Sequence, residues 1–324
     1  MKKILALILS IVTVFSFAAC GDTNDGDIAD TSAAENIDTS ADAADTVADT
    51  TAMEDVAETT AAQTDAKDTL AIDETVVIDN EYCTVTLTGI EEDDFWGTSI
   101  KVKLENKSAD KNYSFNVNDA TINGVYLSAS LYADVKAGKK ANDEITLYVE
   151  DIEELDIGQY TDIAITLSVS DADDWMADPV VNETFHVYPY GEENASVFAR
   201  EAQPTDLVLI DNEYVTLTLT GYEEEDEIWQ TYDAKLFIVN KTDKNLSIDA
   251  NDVYVNDYSI DPFFYYYIPA GVCAVAEMSF DKEELESNDI AAVETIEFEL
   301  EISDYDDWTA DSYATEDIVL TPTK

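Results

Sequence analysis

The sequence predicts an all-β chain in which two β-sandwich modules follow a disordered acidic linker. Three observations carry this reading. The segment VVIDNEYCTVTLTG (76–89) returns as VLIDNEYVTLTLTG (208–221), identical at 11 of 14 positions. Apolar and polar residues alternate over short runs, the period of a strand with one buried face. The only helix candidates are short turns near 151–157 and 282–287. Parallel strands need crossover connections of a dozen or more residues, so βαβ units are excluded.

The elements follow in chain order. Lys2 and Lys3 precede an apolar run from Ile4 to Phe17, and Ala18-Ala19 precede Cys20. A positive start, a short apolar run and small residues at the cut form a secretory signal (1–19), not a membrane span. The cysteine after small residues resembles a bacterial lipobox, with Phe17 where Leu is usual. The expectation is diacylglycerol on Cys20 and a chain anchored to the extracytoplasmic face of the cell membrane.

Residues 20–73 form the linker. Between 21 and 72 there are 14 acids and one base, Lys67, with no aromatic residue and no Pro. Such a segment buries too little apolar surface to offset chain entropy. Its expected role is spacing, holding the folded part away from the membrane.

The first module spans 74–189, a connector 190–205, and the second module 206–324. The offset stays near 133: Trp96 matches Trp229, Gly138 matches Gly271, Trp175 matches Trp308 and Pro189 matches Pro322. Asn106-Lys-Ser matches Asn240-Lys-Thr one residue out of step. Ile100, Val102 and Leu104 share one parity, as do Ile163, Ile165, Leu167 and Val169. Asn123-Gly124 between apolar runs signals a type I′ hairpin. Seven or eight short strands per module indicate an immunoglobulin-like β-sandwich.

Composition bounds the function. With 72 Asp and Glu against 16 Lys and Arg, the net charge is −56. Phosphate backbones and anionic headgroups are repelled, so no nucleic-acid partner is expected. The single His, His186, falls on an outward parity. No nucleophile elbow, zinc-protease helix or phosphate-binding glycine loop is found, and no carboxylate pair stands out among 72 acids. The chain reads as a non-enzyme. Cys83 and Cys273 occupy unmatched positions in different modules and do not form a disulfide framework.

Two patterns are candidate sites. The first is acidic: Asp171, Asp173 and Asp174 match Asp304, Asp306 and Asp307, beside Trp175 and Trp308. Clustered carboxylates can supply the oxygens Ca²⁺ needs, and a solvated loop is the alternative. The tryptophans are expected to be core or loop anchors. The second is aromatic. Phe263, Tyr265 and Tyr267 fall on the outward parity, and Phe237 replaces Lys103 on another strand. Contiguous outward apolar surface marks an interface, either with an extracellular protein or glycan or with the first module or the connector.

The signal, the acidic Ala/Thr-rich tether and the paired modules resemble Clostridia-type Gram-positive surface lipoproteins. The run "alternating Thr strand, Gly, acidic loop, Trp, strand, Asn-Lys-Ser/Thr, Asn-Gly or Asn-Asp" is similar to their immunoglobulin-like domains of unknown function. The resemblance implies a sandwich fold and no site residues. The expected function is a membrane-anchored binding or adhesion module, with a structural spacer or a Ca²⁺-dependent envelope protein as the alternative.

Overall fold

The computed structural model describes residues 70–93, 97–174, 176–225 and 229–322, all within one unit, Thr64–Lys324. The signal, Cys20, nearly all of the linker, Trp96 and Trp175 lie outside the described residues. The first module contains β1 (Thr75–Asp79), β2 (Cys83–Asp93), β3 (Gly97–Asn106), β4 (Tyr113–Ile122), β5 (Val125–Leu127), β6 (Ala129–Ser130), β7 (Tyr132–Val135), β8 (Lys140–Leu147), β9 (Ile163–Asp171) and β10 (Val181–Val187). The second contains β11 (Leu207–Asp211), β12 (Val215–Glu224), β13 (Thr231–Asn240), β14 (Leu246–Val255), β15 (Tyr258–Ser259), β16 (Tyr265–Ile268), β17 (Cys273–Asp281), α1 (Lys282–Ser287), β18 (Ile296–Asp304) and β19 (Ala314–Leu320).

Each module is an immunoglobulin-like sandwich of two sheets. In the first, β1-β2-β3-β8-β6 faces β10-β9-β4, with β5 and β7 both paired to β4. In the second, β11-β12-β13-β17 faces β14-β18-β19, with β15 and β16 on β14. The strand order is the chain's own. β2 and β3 are neighbours in one sheet, whereas constant-type immunoglobulin domains put the second and third strands in opposite sheets. Alternation explains the packing: Val85, Leu87, Ile100 and Val102 meet Phe115, Ile165 and Leu167 in one core. Leu217, Leu236 and Phe280 meet Ile248, Leu300 and Ile302 in the other.

The residues shared by both copies turn out to build turns. Asn80 Oδ1 accepts from the backbone N–H of Tyr82 and Cys83 at 2.9 and 3.0 Å; Asn212 repeats this with Tyr214 and Val215 at 2.8 and 2.9 Å. Lys107 ties Asp79 and the Asn80 carbonyl, as Lys241 ties Asp211 and the Asn212 carbonyl. That lysine holds the Asp79 and Asp211 carboxyls below their ordinary value through a hydrogen bond. Asn106 Nδ2 donates to the carbonyls of Lys111 and Val135, both at 2.8 Å, and Asn240 Nδ2 to those of Lys244, Ile268 and Pro269. Buried backbone groups need partners, and these side chains supply them.

The hairpin signal at Asn123-Gly124 is realised, with φ of 52° and 79°. Asn123 is buried. Its Oδ1 accepts from the N–H of Thr161 and Asp162 and from the Thr161 hydroxyl, and its Nδ2 donates to the Gln159 carbonyl.

The helix signals are realised as one short helix, α1, capped by Asp281, whose side chain accepts from the N–H of Glu283 and Glu284. Its counterpart in the first module is a 3-10 turn, Val149–Leu155.

Candidate functional site

The strip before and within β16 divides by parity. Phe264 is buried in the second core, while Phe263 and Tyr265 are 74% and 61% exposed. Tyr265 pairs with Asp249 of β14, which pairs with Glu301 of β18. Further along the same face, Tyr254 stands opposite Glu297. Strands β14, β16, β18 and β19 carry no Lys or Arg. This outer face therefore combines exposed aromatic rings with carboxylates. The equivalent face of the first module carries Tyr132, 70% exposed, and Asp134, which accepts from Ser114, and is otherwise lined by neutral groups: Thr166 bonds Thr184, and Ser168 bonds Asn118, which bonds Asn182.

The other two aromatic candidates sit in the joint between the modules. Phe237 is only 8% exposed and belongs to the core of the first module. The Arg200 guanidinium lies 5.6 Å above its ring and is fixed by two bonds to Asp206, 2.6 and 2.9 Å. Tyr267 is half-buried. Its ring packs edge-on against Tyr126 (6.2 Å) and Tyr305 (4.6 Å), and its hydroxyl donates to Asp119 at 3.4 Å. Phe237 is thus corrected from an external contact to an internal one, and Tyr267 is largely engaged. The reason is sheet continuity. β17 pairs parallel with β5, Cys273 opposite Val125, and the Cys273 N–H donates to the Gly124 carbonyl at 3.1 Å. This joins the two sheets into one of nine strands and lays the β13–β17 face against the first module.

Burial pushes the Asp119 carboxyl up, the Tyr267 hydroxyl opposing this. Burial also raises the Cys83 and Cys273 thiols to about 11, which leaves both unreactive.

The acidic candidates do not come together as a metal site. Among the described residues no group of three His, Cys, Asp or Glu side chains is placed to hold an ion. Asp171 accepts from the N–H of Asp173 and pairs with Lys111 at 2.8 Å; Asn112 bonds Asp173. In the second copy Asp304 accepts from the N–H of Asp306 and lies 3.8 Å from Lys244, while Asn245 bonds Asp306. Asp174 and Asp307 accept from the N–H groups of Met176 and Thr309. The retained acids shape turns and meet a retained Lys-Asn pair.

The expectation for the tryptophans fails at the two described positions. Trp229 and Trp308 are 70% and 91% exposed. In the second case Asp304 and Asp307 close successive turns, and Trp308 sits within the second, its indole outside.

His186 is exposed and bonds Asp162 at 2.7 Å, with no nucleophile in the pair. A cleft of about 480 Å³ beside the joint is lined by Arg200, Lys235, Glu154 and Phe237. Both cations in it are already paired, Lys235 with Glu223 at 2.6 Å and Glu154 at 2.9 Å.

No family model matches the chain, and neither does any curated protein sequence. Solved structures do match. The red sea bream transglutaminase structure has 9% identity and a TM-score of 0.20, covering 79% of this chain and 32% of its own. The chaperone–tip adhesion subunit complex CsuC–CsuE of Acinetobacter baumannii has 13% identity and a TM-score of 0.21, covering 72% and 94%. The exo-chitosanase of Amycolatopsis orientalis has 11% identity and a TM-score of 0.20, covering 72% and 26%. The chain therefore spans about a third of the transglutaminase chain it matches.

Proposed function

We propose that the chain is a lipid-anchored extracytoplasmic binding or adhesion protein without catalytic activity. Cys20 carries the anchor, the acidic linker gives reach, and the outer face of the second module makes the contact. The observation that carries this reading is the exposure of Phe263 and Tyr265 on one parity, Tyr265 opposite Asp249 on a face without Lys or Arg and Phe263 bridging to Ser279 of β17. Aromatic rings on a rigid strand suit stacking on sugar rings or on peptide side chains. The reading requires no metal ion and excludes nucleic acid on charge.

A spacer role is the second reading. The continuous nine-stranded sheet favours it, because a sheet shared by both modules resists bending at the connector.

The test is a titration of the chain with soluble cell-wall oligosaccharides and peptides, followed by nuclear magnetic resonance. Shifts at Phe263 and Tyr265, abolished in Phe263→Ser/Tyr265→Ser with an unchanged unfolding midpoint, support a contact face. A midpoint that collapses shows both rings to be structural, and no shift with any ligand favours the spacer. Fatty-acid labelling lost in Cys20→Ala checks the anchor.

A further inference from the structure

The two sandwiches end differently where β2 meets β3 in the first module and β12 meets β13 in the second. In the first, Ile90 stands opposite Ile100 and Glu92 opposite Thr98. Ile90 and Thr98 are buried, and Tyr160 packs against the same core. In the second, Tyr222 stands opposite Ala234 and Glu224 opposite Tyr232. The register therefore puts Tyr222 in the place of Ile90 and Tyr232 in the place of Thr98.

The third replacement is fixed by a turn. Asn256-Asp257, at the tip of the second module, repeats the Asn123-Gly124 turn with φ of 50° and 71°. Asn256 Oδ1 accepts from the N–H of Glu294 and Thr295 at 2.8 and 2.9 Å, and its Nδ2 donates to the Ala292 carbonyl at 2.7 Å. Asn123 builds the same scaffold on Gln159, Thr161 and Asp162. Val293 of the second module thus stands where the first has Tyr160. One ring has left the loop and two have entered the strands.

These replacements surround a cleft of about 410 Å³, within the range of small-molecule sites. Part of its lining is the Tyr222–Tyr232 pair, stacked with ring centroids 5.9 Å apart and 29° between planes. Ala292, Val293 and Pro322 add aliphatic surface. Burial pushes the Tyr232 hydroxyl up to about 12, so it stays neutral. Neither tyrosine hydroxyl has a hydrogen-bond partner among the described residues. At the rim, Lys235 holds Glu223 Oε2 at 2.6 Å and Lys282 holds Glu224 Oε2 at 3.4 Å. The rim is therefore balanced in charge, and each carboxylate keeps Oε1 to accept a further bond.

This lining selects a ligand with apolar faces, hydroxyls on its edges and no net charge. A charged ligand would compete with an ion pair already made at the rim. A pyranose ring meets all three conditions. Its C–H faces stack on aromatic rings, and its hydroxyls can both donate to carboxylates and accept from phenols.

We propose that this cleft is a saccharide site, taking a neutral pyranose ring against Tyr222 and Tyr232 with its hydroxyls on the Glu223 and Glu224 carboxylates. It uses neither Phe263 nor Tyr265, so it stands independently of the outer contact face.

The experiment titrates the full chain, its tyrosine and phenylalanine rings isotope-labelled, with glucose, galactose, mannose, N-acetylglucosamine and their disaccharides at millimolar concentration. At least one sugar should give saturable shifts of the Tyr222 and Tyr232 ring signals. Tyr222→Ile/Tyr232→Thr, which installs the first module's residues, should weaken that binding about tenfold or more. Val293→Tyr, which restores the ring of Tyr160, should weaken it as much by filling the cleft rather than emptying it. Unfolding midpoints confirm that each variant folds. The proposal is overturned if no sugar of the set shifts either tyrosine, or if Val293→Tyr binds as the natural chain does. Shifts confined to Phe263 and Tyr265 overturn it while supporting the outer contact face. A peptide that shifts Tyr222 and Tyr232 where no sugar does overturns it as well.

Discussion

The β3–β8 face of the first module and the β13–β17 face of the second occupy the same place in the repeat and meet different surroundings. Their inner sides are interchangeable: Ile100, Val102 and Leu104 do for one core what Ala234, Leu236 and Ile238 do for the other. Their outer sides differ at four adjacent positions, one of them Asn142 in the first module and Val275 in the second. Lys103, Glu105 and Lys140 in the first module are Phe237, Val239 and Cys273 in the second. That exchange replaces groups that must stay hydrated with groups that gain from leaving water. It turns a solvated sheet face into the core of a joint. Duplication thus produced two copies of one fold, and a few outward residues decided which copy is covered.

Exchanging the residues between the faces tests this most severely. Phe237→Lys puts an ammonium into the joint and removes a buried ring. The expected loss is about 3–5 kcal/mol, with the melting curve separating into two transitions. The reciprocal Lys103→Phe stays within about 0.5 kcal/mol, because its face is not covered. Equal losses in calorimetry would show that the joint does not distinguish the faces.

The paired asparagines come next. Asn123→Ala strands the N–H groups of Thr161 and Asp162 beneath the joint and should cost about 2–3 kcal/mol. Asn256→Ala, at the uncovered tip, should cost about 1–2 kcal/mol. Denaturant midpoints at constant slope give the comparison, and a reversed order would break the equivalence of the two scaffolds.

The turn position after each asparagine predicts opposite signs. Gly124 has φ of 79°, and a Cβ there would stand 3.3 Å from Val197 Cγ1. Gly124→Ala should lose about 1–2 kcal/mol. Asp257→Gly relieves a non-glycine residue at φ of 71° and should gain up to about 1 kcal/mol. Thermal unfolding of the two single variants reads both.

The smallest effect is the pH response of Asp119. Burial raises its carboxyl above the ordinary value in the folded state. Its contribution to stability is therefore present at low pH and lost as pH rises through the raised value. The midpoint of Asp119→Asn should gain on that of the natural chain between pH 4 and 7. A constant difference across that range would place the carboxyl in water.

Much of this architecture is legible in the residues. Alternation at Ile100–Leu104 and Ile163–Val169 fixes the strands, because a period of two leaves one face to bury. The VVIDNEY and VLIDNEY segments announce the duplication, and Asn123-Gly124 its hairpin. The candidate site was legible only by parity. Parity places Phe263 and Tyr265 outward correctly, and it places Phe237 and Tyr267 outward too. An outward side chain is exposed only if nothing lies over the sheet. The exchange of Lys103, Glu105 and Lys140 for apolar residues was the signal that something does. Residue type alone misleads at Trp308, which lies within an Asp-closed turn and is exposed.

The sequence by itself determined the all-β class, the repeat, the core parities and the acidity. These follow from local pattern and composition, which any chain segment carries with it. Only the tertiary structure decided that β5 meets β17, that Phe237 belongs to the first module's core, and that the Asp171 and Asp304 clusters meet lysine and asparagine rather than one another. Such pairings join residues more than a hundred positions apart, and no local period encodes which distant surface a face will meet.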